Sequence, residues 1–280
     1  MAEQSPRRKR VPRTGTVVRT GHVTPHVVRV VLGGEGLAGF APGYTDSYVK
    51  LLFPPAGAPY AAPFDLDDVQ ARLPREQWPA TRTYTVRSWD AGAGELTIDF
   101  VVHGDEGVAG PWALSARPGD TLQMFGPGGG YSPAGDAGWH LMAGDETALP
   151  AIAAALEALP AGARAEVFVE VAGREEEQDL PAGPGVRVTW VHRSAAPGVA
   201  LVAAVLAADL PEGDVQVFVH GEAGAVRELR RFVRAGLGAP RERMSVSGYW
   251  RVGSTEDRWQ AEKREWNAAV EAEDAGLGVT

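Results

Sequence analysis

Short apolar stretches rich in valine, separated by glycine and proline, run from Thr14 to about Tyr131. Six of them have the length and the residue types of β-strands: TVVRT, HVVRVVL, YVKLLF, TYTVRSW, ELTIDFVV and DTLQMF. Many short strands with turn residues between them are typical of small antiparallel barrels. The sequence therefore predicts an antiparallel six-stranded β-barrel in the N-terminal half.

The connections between these strands carry two further predictions. The turn residues DAGAG separate TYTVRSW from ELTIDFVV, so we expect these two strands to pair as a hairpin. The stretch between Pro54 and Thr81 has no sustained periodicity and contains several prolines. We expect a surface loop there, with one helical turn at most.

After Pro133 the pattern changes to apolar strands followed by helix-like segments. WHLMAGD leads into ETALPAIAAALEAL, VRVTWVHR into VALVAAVLAAD and VQVFVHGEA into GAVRELRRFVRAGL, and AEVFVEVAG lies between the first two pairs. Strands that alternate with helices predict an α/β domain with a mainly parallel sheet.

Length and composition agree with two domains of ordinary size. The chain has 280 residues, of which 44% are apolar, and a Pro- and Gly-rich stretch, YSPAGDAG, is suitable as a linker. We predict a barrel domain over residues 11–132 and an α/β domain over residues 137–280. Trp259 and Trp266, seven residues apart, predict a C-terminal helix that docks through them.

The chain contains no cysteine. This excludes disulfides, zinc–thiolate sites, cysteine-ligated iron–sulfur clusters and a cysteine nucleophile, so redox chemistry would need a bound cofactor. His22 and His26 flank Pro25 in a strand-like stretch, where they would not share a helical face. We therefore expect no metal site.

The charge and hydropathy of the chain limit its partners. The formal net charge of −9 opposes nucleic-acid binding, and we interpret the basic tail Arg7-Arg8-Lys9-Arg10 as a solvated end. No stretch reaches the roughly 18 uninterrupted apolar residues of a membrane helix, and the N-terminus has no apolar signal core. We expect a cytoplasmic monomer that does not insert into membranes.

Two segments could bind a nucleotide cofactor. In Arg82-Thr83-Tyr84-Thr85, strand alternation places Arg82 and Tyr84 on one face, where the arginine could bind phosphate and the tyrosine could lie against a flat ring. Farther along, small residues precede a helix start at Pro111-Trp112 and would leave backbone N–H groups free for a pyrophosphate. Each segment alone is equally consistent with an ordinary strand or turn.

Together the two segments resemble the flavin-binding signature of the siderophore-interacting proteins. In that family an R-x-Y strand followed by Thr or Ser precedes an F-V-x-H-G strand and a G-x-A-x-x-W-A turn. Five more stretches are similar to the family and extend the resemblance over nearly the whole chain: Ala116–Asp120, Gly126–Gly129, Ala143–Ile152, His220–Ala223 and Gly248–Gly253. Gly110 departs from the usual residue, and Gly126–Gly130 lacks the G-x-G-x-x-G spacing of a Rossmann dehydrogenase.

The resemblance implies a ferredoxin-NADP reductase-like fold, FAD as cofactor, and reduction of ferric siderophores. It implies Arg82 on the flavin phosphates, Tyr84 against the isoalloxazine and Thr85 near the ring nitrogens. The other implied FAD contacts are Thr83, Asp99, Val101, His103, Ala109, Trp112 and Thr147. His103 could instead be a capping or core histidine.

The electron donor and the substrate have their own candidate residues. The carboxyl ends of parallel strands, where ligands bind in open α/β sheets, carry Gly144, Asp145, Glu146, Pro150 and Glu222, which we assign to the nicotinamide region. By similarity to the family's basic substrate site, Lys50 and Arg251 are candidates for an anionic ferric siderophore.

The reaction itself leaves alternatives open. Reduced nicotinamide gives two electrons whereas Fe(III) accepts one, and a flavin can mediate between them. Arg174 could bind the 2′-phosphate of NADPH, but Glu175, Glu176 and Glu177 would repel it and favour NADH; a ferredoxin is a third donor. Two other functions stay open: a general NAD(P)H:flavin or electron-transfer oxidoreductase, and a non-catalytic siderophore-binding module.

Overall fold

A computed structural model describes residues 11–102, 107–194 and 196–276 of the protein, with the backbone alone for residues 274–276. The basic tail at residues 7–10 and His103 lie outside the described residues.

The N-terminal half forms an antiparallel sheet. Its strands are β1 (Arg13–Thr24), β2 (Val27–Gly33), β3 (Tyr48–Phe53), β4 (Ala80–Thr85), β5 (Ser88–Asp90), β6 (Glu95–Val101) and β7 (Thr121–Gly128). The hydrogen-bonded order is β4-β3-β7-β1-β2-β6-β5, and within the described residues it does not close into a ring. The sheet therefore has seven strands rather than the six predicted, because the fourth predicted strand is divided.

That division corrects the predicted hairpin. Thr83 lies opposite Lys50, so β4 pairs with β3, and only the short β5 pairs with β6. Between them the Val86 N–H donates to the Ser47 carbonyl at 2.7 Å and the Arg87 N–H to the Thr97 carbonyl at 2.9 Å. The consecutive strands β4 and β5 thus lie at opposite edges of the sheet, and the chain passes from one edge to the other at Val86 and Arg87.

The stretch between β3 and β4 is packed rather than a simple surface loop. It contains α1 (Leu66–Arg72), and its Phe64 and Val69 form a small core with Leu52 of β3. The side-chain amide of Gln123 accepts from the Phe64 N–H at 2.9 Å and donates to the Phe64 carbonyl at 2.7 Å. These buried contacts hold the insertion against the sheet.

The second half is an α/β unit. Its strands are β8 (Trp139–Asp145), β9 (Ala165–Val171), β10 (Val186–His192), β11 (Val215–Glu222) and β12 (Met244–Trp250). They are all parallel, in the order β10-β9-β8-β11-β12. Every residue of β8 and β11 is buried, as expected of central strands covered on both faces.

Helices connect and cover this sheet. They are α3 (Leu149–Glu157), α4 (Val199–Leu206), α5 (Ala223–Arg231) and α6 (Glu256–Gly276), and α2 (Ala109–Ser115) belongs to the first half. The predicted class, a barrel-like antiparallel sheet followed by a parallel α/β sheet as in ferredoxin reductases, is confirmed. Within the described part of the chain, no helix is both long enough and apolar enough to cross a membrane.

The C-terminal helix α6 docks through its tryptophans. Trp259 is fully buried, and its ring lies against Trp266 with 5.5 Å between ring centroids. A Cβ on Gly248 would stand 3.0 Å from the Trp259 ring, so β12 approaches the helix closely at this glycine. Ion pairs of Arg227 and Arg231 with Glu273 join the far end of α6 to α5.

Polar contacts join the two sheets. Thr24 Oγ1 donates to Glu176 Oε2 at 2.5 Å, and His26 Nδ1 lies 2.5 Å from Glu176 Oε1. On another side, Arg87 Nη2 donates to Glu157 Oε1 at 2.6 Å. Glu176 and Glu157 belong to the α/β half, so carboxylates of one half accept hydrogen bonds from the other.

Candidate functional site

The Arg82–Thr85 segment lies in β4 with the alternation predicted from the sequence. Arg82 and Tyr84 are half-buried, whereas Thr83 is exposed. Thr85, the last residue of the strand, is buried. Arg82 Nη1 donates to the Thr81 carbonyl and to Asp257 Oδ1, both at 2.8 Å, so α6 reaches this strand.

The Phe100 ring connects the two predicted cofactor segments. Its centroid lies 4.4 Å from that of Tyr84 and 5.6 Å from that of Trp112. Phe100 itself is fully buried in the core of the first sheet. The tyrosine of β4 and the tryptophan of α2 are therefore fixed on a common support.

Helix α2 begins at Ala109, two residues before the predicted start at Pro111-Trp112, and so includes some of the small residues. Ala109 is buried, Gly107 has a φ of 78°, and no side chain caps the helix at its N-cap residue Val108. Because Pro111 has no N–H, the amides that remain available in the first turn belong to Ala109 and Gly110.

Two other predicted FAD residues lie in β6. Asp99 is buried, and its two oxygens accept from Arg29 Nε and Nη2, each at 2.7 Å. This ion pair with β2 explains the burial of Asp99, and a contact of Asp99 with the cofactor stays a prediction. Val101 lines a cavity of about 180 Å³ between the two sheets.

The residues assigned to the nicotinamide region gather at the carboxyl ends of β8 and β11. His220 and Gly144 are partners in the parallel pairing, which brings the β8 end beside Glu222. A Cβ on Gly144 would stand 2.6 Å from the His220 carbonyl oxygen and 2.5 Å from the Ala148 Cβ, so only glycine fits there. Pro150 lies in the buried first turn of α3.

Asp145 is the most deeply buried carboxylate in this group. It accepts from the Thr147 N–H at 2.9 Å, Thr147 Oγ1 at 2.5 Å, the Glu222 N–H at 2.8 Å and Trp250 Nε1 at 2.8 Å. Burial raises the pKa of Asp145 to about 6, and neighbouring Glu146 acts in the same direction, against the hydrogen bonds from Thr147 and Trp250.

Glu146 and Glu222 have different partners. Glu146 accepts from Arg193 Nη2 at 2.6 Å and lines the same cavity as Val101. Glu222 Oε2 accepts from the backbone N–H groups of Gly224 and Ala225 and thereby caps α5. A residue predicted for FAD and one predicted for nicotinamide thus share one cavity, whereas the Glu222 side chain caps a helix.

Tyr249 of β12 joins the two groups of residues. Burial is the main cause that raises its pKa, and a hydrogen-bonding contact with Thr85 acts in the opposite direction. The Tyr249 ring also meets His220 edge-on, with 4.9 Å between centroids. The end of the Arg82–Thr85 segment therefore lies next to the carboxyl edge of the parallel sheet.

The candidate substrate cations lie at the same junction. Lys50 is half-buried opposite Thr83, and Arg251 is exposed with Nη1 3.6 Å from Glu262 Oε2. Lys263 of α6 was missed from the sequence. Its pKa is lowered by burial and by the nearby Lys50, against an opposite effect of Glu256. Lys263 is four residues after Trp259, and this helical spacing could have placed it on the docking face.

The described residues contain no group of three or more His, Cys, Asp or Glu side chains arranged to hold a metal ion. The absence of a resident metal stays a prediction.

Two family models match the chain in succession. Residues 16–131 match the siderophore-interacting FAD-binding domain, and residues 137–253 match the siderophore-interacting protein. The chain belongs to the siderophore-interacting protein family.

Relatives extend this result over most of the chain. The ferric vibriobactin reductase ViuB of Vibrio cholerae is 35% identical over 257 residues, 90% of this chain and 94% of the relative. The NADPH-dependent ferric-chelate reductase of Escherichia coli is 32% identical over 240 residues, 84% of this chain and 91% of the relative. The solved siderophore-interacting protein SipS from Aeromonas hydrophila has a TM-score of 0.79 at 34% identity, covering 92% of this chain and 99% of that chain.

The residues of this siderophore-interacting protein fit the flavin of the matched FAD-binding domain. Arg82 offers a cation whose side chain is only 16% exposed, and Tyr84 and Trp112 offer aromatic rings held by Phe100. The start of α2 offers amides that no side chain caps. One sheet and its following helix thus carry groups of the chemical types that bind phosphates and aromatic rings.

Proposed function

We propose that this protein is an FAD-dependent reductase of ferric siderophores that takes its electrons from a reduced nicotinamide dinucleotide. One observation carries the proposal: Val101, a predicted flavin residue, and Glu146, a predicted nicotinamide residue just after the carboxyl end of β8, line the same cavity between the two sheets. Electron donors of α/β folds bind at the carboxyl ends of strands, so the shared cavity supports a short path between donor and flavin.

Arg82 would hold the flavin phosphates, with Ala109 and Gly110 at the start of α2 as additional backbone donors. Tyr84 would lie against the ring system, and Thr83, Asp99, Val101, Trp112 and Thr147 are the further proposed contacts. Bound FAD supplies the conversion between a two-electron donor and a one-electron acceptor. The protein residues bind and orient the reactants.

We propose NADPH rather than NADH as the donor. The acidic turn that favoured NADH is largely engaged, because Glu176 accepts from Thr24 and Glu177 lies 2.8 Å from His192 Nε2. Arg174 is exposed and lines a cavity of about 650 Å³ together with Arg29, Arg87, Glu177 and Asp179, so three cations and two carboxylates surround it. Arg174 would meet the 2′-phosphate, whereas the nicotinamide would lie near Gly144, Glu146 and Pro150.

The ferric siderophore would approach Lys50, Arg251 and Lys263. The protein is acidic overall, so a local group of cations is needed to attract an anionic chelate. The reaction balances as one NADPH and two Fe(III) chelates giving NADP⁺, one proton and two Fe(II) chelates. Fe(II) is held less tightly by siderophores, which would favour release of the iron.

The experiment that tests this function compares steady-state rates of NADPH oxidation with a ferric siderophore and with free FAD or FMN as acceptor. Faster turnover at low micromolar ferric siderophore, with two Fe(II) formed per NADPH, would support the proposal. Faster turnover with free flavin would instead indicate a general flavin reductase.

Two other results would redirect the assignment. Chelate binding without any NADPH oxidation by the FAD-loaded protein would indicate a siderophore-binding module. Reduction that proceeds with a reduced ferredoxin and not with NADPH or NADH would replace the proposed donor and leave the acceptor unchanged.

A further inference from the structure

Asp145 accepts hydrogen bonds from the carboxyl ends of three neighbouring strands, β8, β11 and β12. Its own strand β8 continues into the Thr147 turn, which donates its N–H at 2.9 Å and its hydroxyl at 2.5 Å. The β11 end donates the Glu222 N–H at 2.8 Å, and the β12 end donates Trp250 Nε1 at 2.8 Å. Four donors therefore fill the two carboxylate oxygens.

The backbone around this carboxylate is shaped to admit it. Gly221 has a φ of 135°, and a Cβ on this residue would stand 2.6 Å from Asp145 Oδ2. The pairing of β11 with β12 also shifts register between Gly221 and Glu222, which brings Trp250 opposite Glu222. A glycine and a strand irregularity thus occur at the place where the carboxylate is enclosed.

An ionised carboxylate at this position lowers the stability of the fold. Because burial raises the pKa of Asp145 to about 6, the folded protein holds this proton more tightly than the unfolded chain. Stability therefore falls as the pH rises from about 4 to about 6. Charged groups around it are Glu146, paired with Arg193, and Glu222, whose oxygens accept from Gly224, Ala225 and Val252. A group kept despite such a cost is typical of functional sites.

Only 2% of Asp145 is exposed, so it does not itself present a surface to a ligand. Its partners Thr147 and Trp250 are half-buried, so part of each side chain stays exposed. We propose that Asp145 is a positioning residue for the electron donor: it fixes the Thr147 turn and the Trp250 indole so that the nicotinamide dinucleotide meets a preformed edge. This inference rests on the proposed function, because it concerns the donor side of that site.

Glu170 provides a matched control within the same sheet. It is fully buried, accepts from the Gly198 N–H at 2.9 Å and the Leu201 N–H at 3.1 Å, and so fastens the start of α4. Glu170 Oε1 also accepts from Arg193 Nε at 3.2 Å, a bond that the side-chain oxygen of a glutamine can still accept. Its carboxylate contacts neither Thr147 nor Trp250. Glu170→Gln therefore removes a buried carboxylate with backbone donors without removing the contacts in question.

The first readout does not depend on activity. The chain has eight tryptophans, and the indole N–H signal that disappears in Trp250→Phe identifies Trp250 in the ¹⁵N–¹H spectrum of the labelled protein. In the unchanged protein this signal should shift between pH 5 and 7, following the carboxylate. Asp145→Asn should move the signal and abolish its pH dependence, whereas Glu170→Gln should leave both unchanged.

The second readout is the steady-state rate of ferric-chelate reduction, measured at varied concentrations of NADPH and of the chelate. Asp145→Asn should raise the KM for NADPH about fivefold, because the amide nitrogen cannot accept the two hydrogen bonds made to the oxygen that it replaces, and leave the KM for the ferric chelate unchanged. Glu170→Gln should raise the KM for NADPH less than about twofold. If Asp145→Asn does not fold, Trp250→Phe serves as a second variant. It removes a single donor to Asp145 and should raise the KM for NADPH about twofold.

The outcomes separate this inference from the function on which it rests. A wild-type flavoprotein that neither NADPH nor NADH bleaches would contradict the proposed function. A wild type that is bleached, with an unchanged NADPH KM in Asp145→Asn or an equal rise in Glu170→Gln, would overturn the positioning role alone. A Trp250 indole signal that is unchanged in Asp145→Asn would overturn the positioning role as well.

Discussion

Arg82 Nη1 lies 2.8 Å from Asp257 Oδ1, so the arginine proposed to hold the flavin phosphates is paired with the first turn of the C-terminal helix. The two partners differ in environment, because the side chain of Arg82 is 16% exposed and that of Asp257 is 78% exposed. Because Asp257 is exposed, a flavin phosphate can replace it as the partner of the less exposed Arg82. The C-terminal helix therefore adjoins the cofactor site as well as the parallel sheet.

Removal of the Asp257 charge should strengthen FAD binding. Asp257→Asn is expected to lower the Kd for FAD about two- to fivefold at low salt, the size of an exposed ion pair, and the gain should shrink at high salt. Fluorescence titration of the apoprotein with FAD measures the effect. Asp136→Asn is the control, since Asp136 is equally exposed and pairs with Arg243. Weaker FAD binding in Asp257→Asn would show that Asp257 orients Arg82 instead of competing with the phosphates.

Substitution of Arg82 should change the affinity for FAD far more than substitution of its partner Asp257. Arg82→Ala is expected to weaken FAD binding roughly 10- to 100-fold, because a charge-assisted contact with phosphate is lost. The same titration measures it. An unchanged Kd would remove Arg82 from the proposed cofactor site.

Phe100 should support FAD binding through the rings that rest on it. Phe100→Ala should lower the free energy of unfolding by about 3–5 kcal/mol and also weaken FAD binding, since Tyr84 and Trp112 lose their common support. Phe168→Ala, a buried substitution in the parallel sheet, should cost similar stability. Urea unfolding and FAD titration of both variants test the difference, and an equal loss of FAD affinity in the two would contradict it.

The contact of Glu176 with the first sheet should make stability depend on pH. Burial acts to raise the pKa of Glu176, but the hydrogen bonds from Thr24 and His26 outweigh it, and the pKa is lowered. The stabilisation is therefore complete above the usual pKa of 4.5 and is lost as the pH falls through the lowered value.

Glu176→Gln tests this relationship. It should reduce the free energy of unfolding by about 1–3 kcal/mol at pH 7, with a smaller difference from the wild type near pH 3. Glu175→Gln, an exposed neighbour, should change stability by less than about 0.5 kcal/mol. A Glu176→Gln difference that stays constant with pH would refute the assigned cause.

The basic group at the junction should select anionic chelates. The double variant Lys50→Ala/Arg251→Ala should raise the KM for an anionic ferric siderophore roughly tenfold at low salt and should change that for a neutral chelate little. Arg117→Ala/Arg164→Ala removes two exposed arginines, one before β7 and one at the amino end of β9, and should have no such effect. Equal affinity of the wild type and the Lys50/Arg251 variant for the anionic chelate would exclude this surface as the substrate site.

Local patterns in the sequence predict much of the fold, because they determine local structure directly. WHLMAGD becomes β8 at Trp139–Asp145 without any shift, since it is a buried strand followed by a helix. Strand β12 was missed because MSVSGYW alternates small residues and lacks a strong apolar face. The predicted hairpin forms only over Ser88–Asp90, because the first part of its first arm pairs with β3 and the Val86 N–H donates to the distant Ser47 carbonyl.

In the candidate site, too, local patterns predict some features, whereas others depend on residues distant in sequence. The alternation of Arg82 and Tyr84 and the grouping of Gly144 with Glu222 follow from strand geometry. The pairing of Asp99 with Arg29 and of Arg82 with Asp257 joins residues 70 and 175 positions apart, and no local pattern indicates such partners. Charge partners of the site residues thus require the tertiary structure.

The most direct test of the proposed function follows the visible spectrum of the FAD-loaded protein without oxygen. Addition of NADPH should bleach the flavin bands, and a ferric siderophore should then restore them, with two equivalents of Fe(III) consumed per flavin. Bands that NADPH does not bleach, or that the ferric siderophore does not restore, would contradict the account.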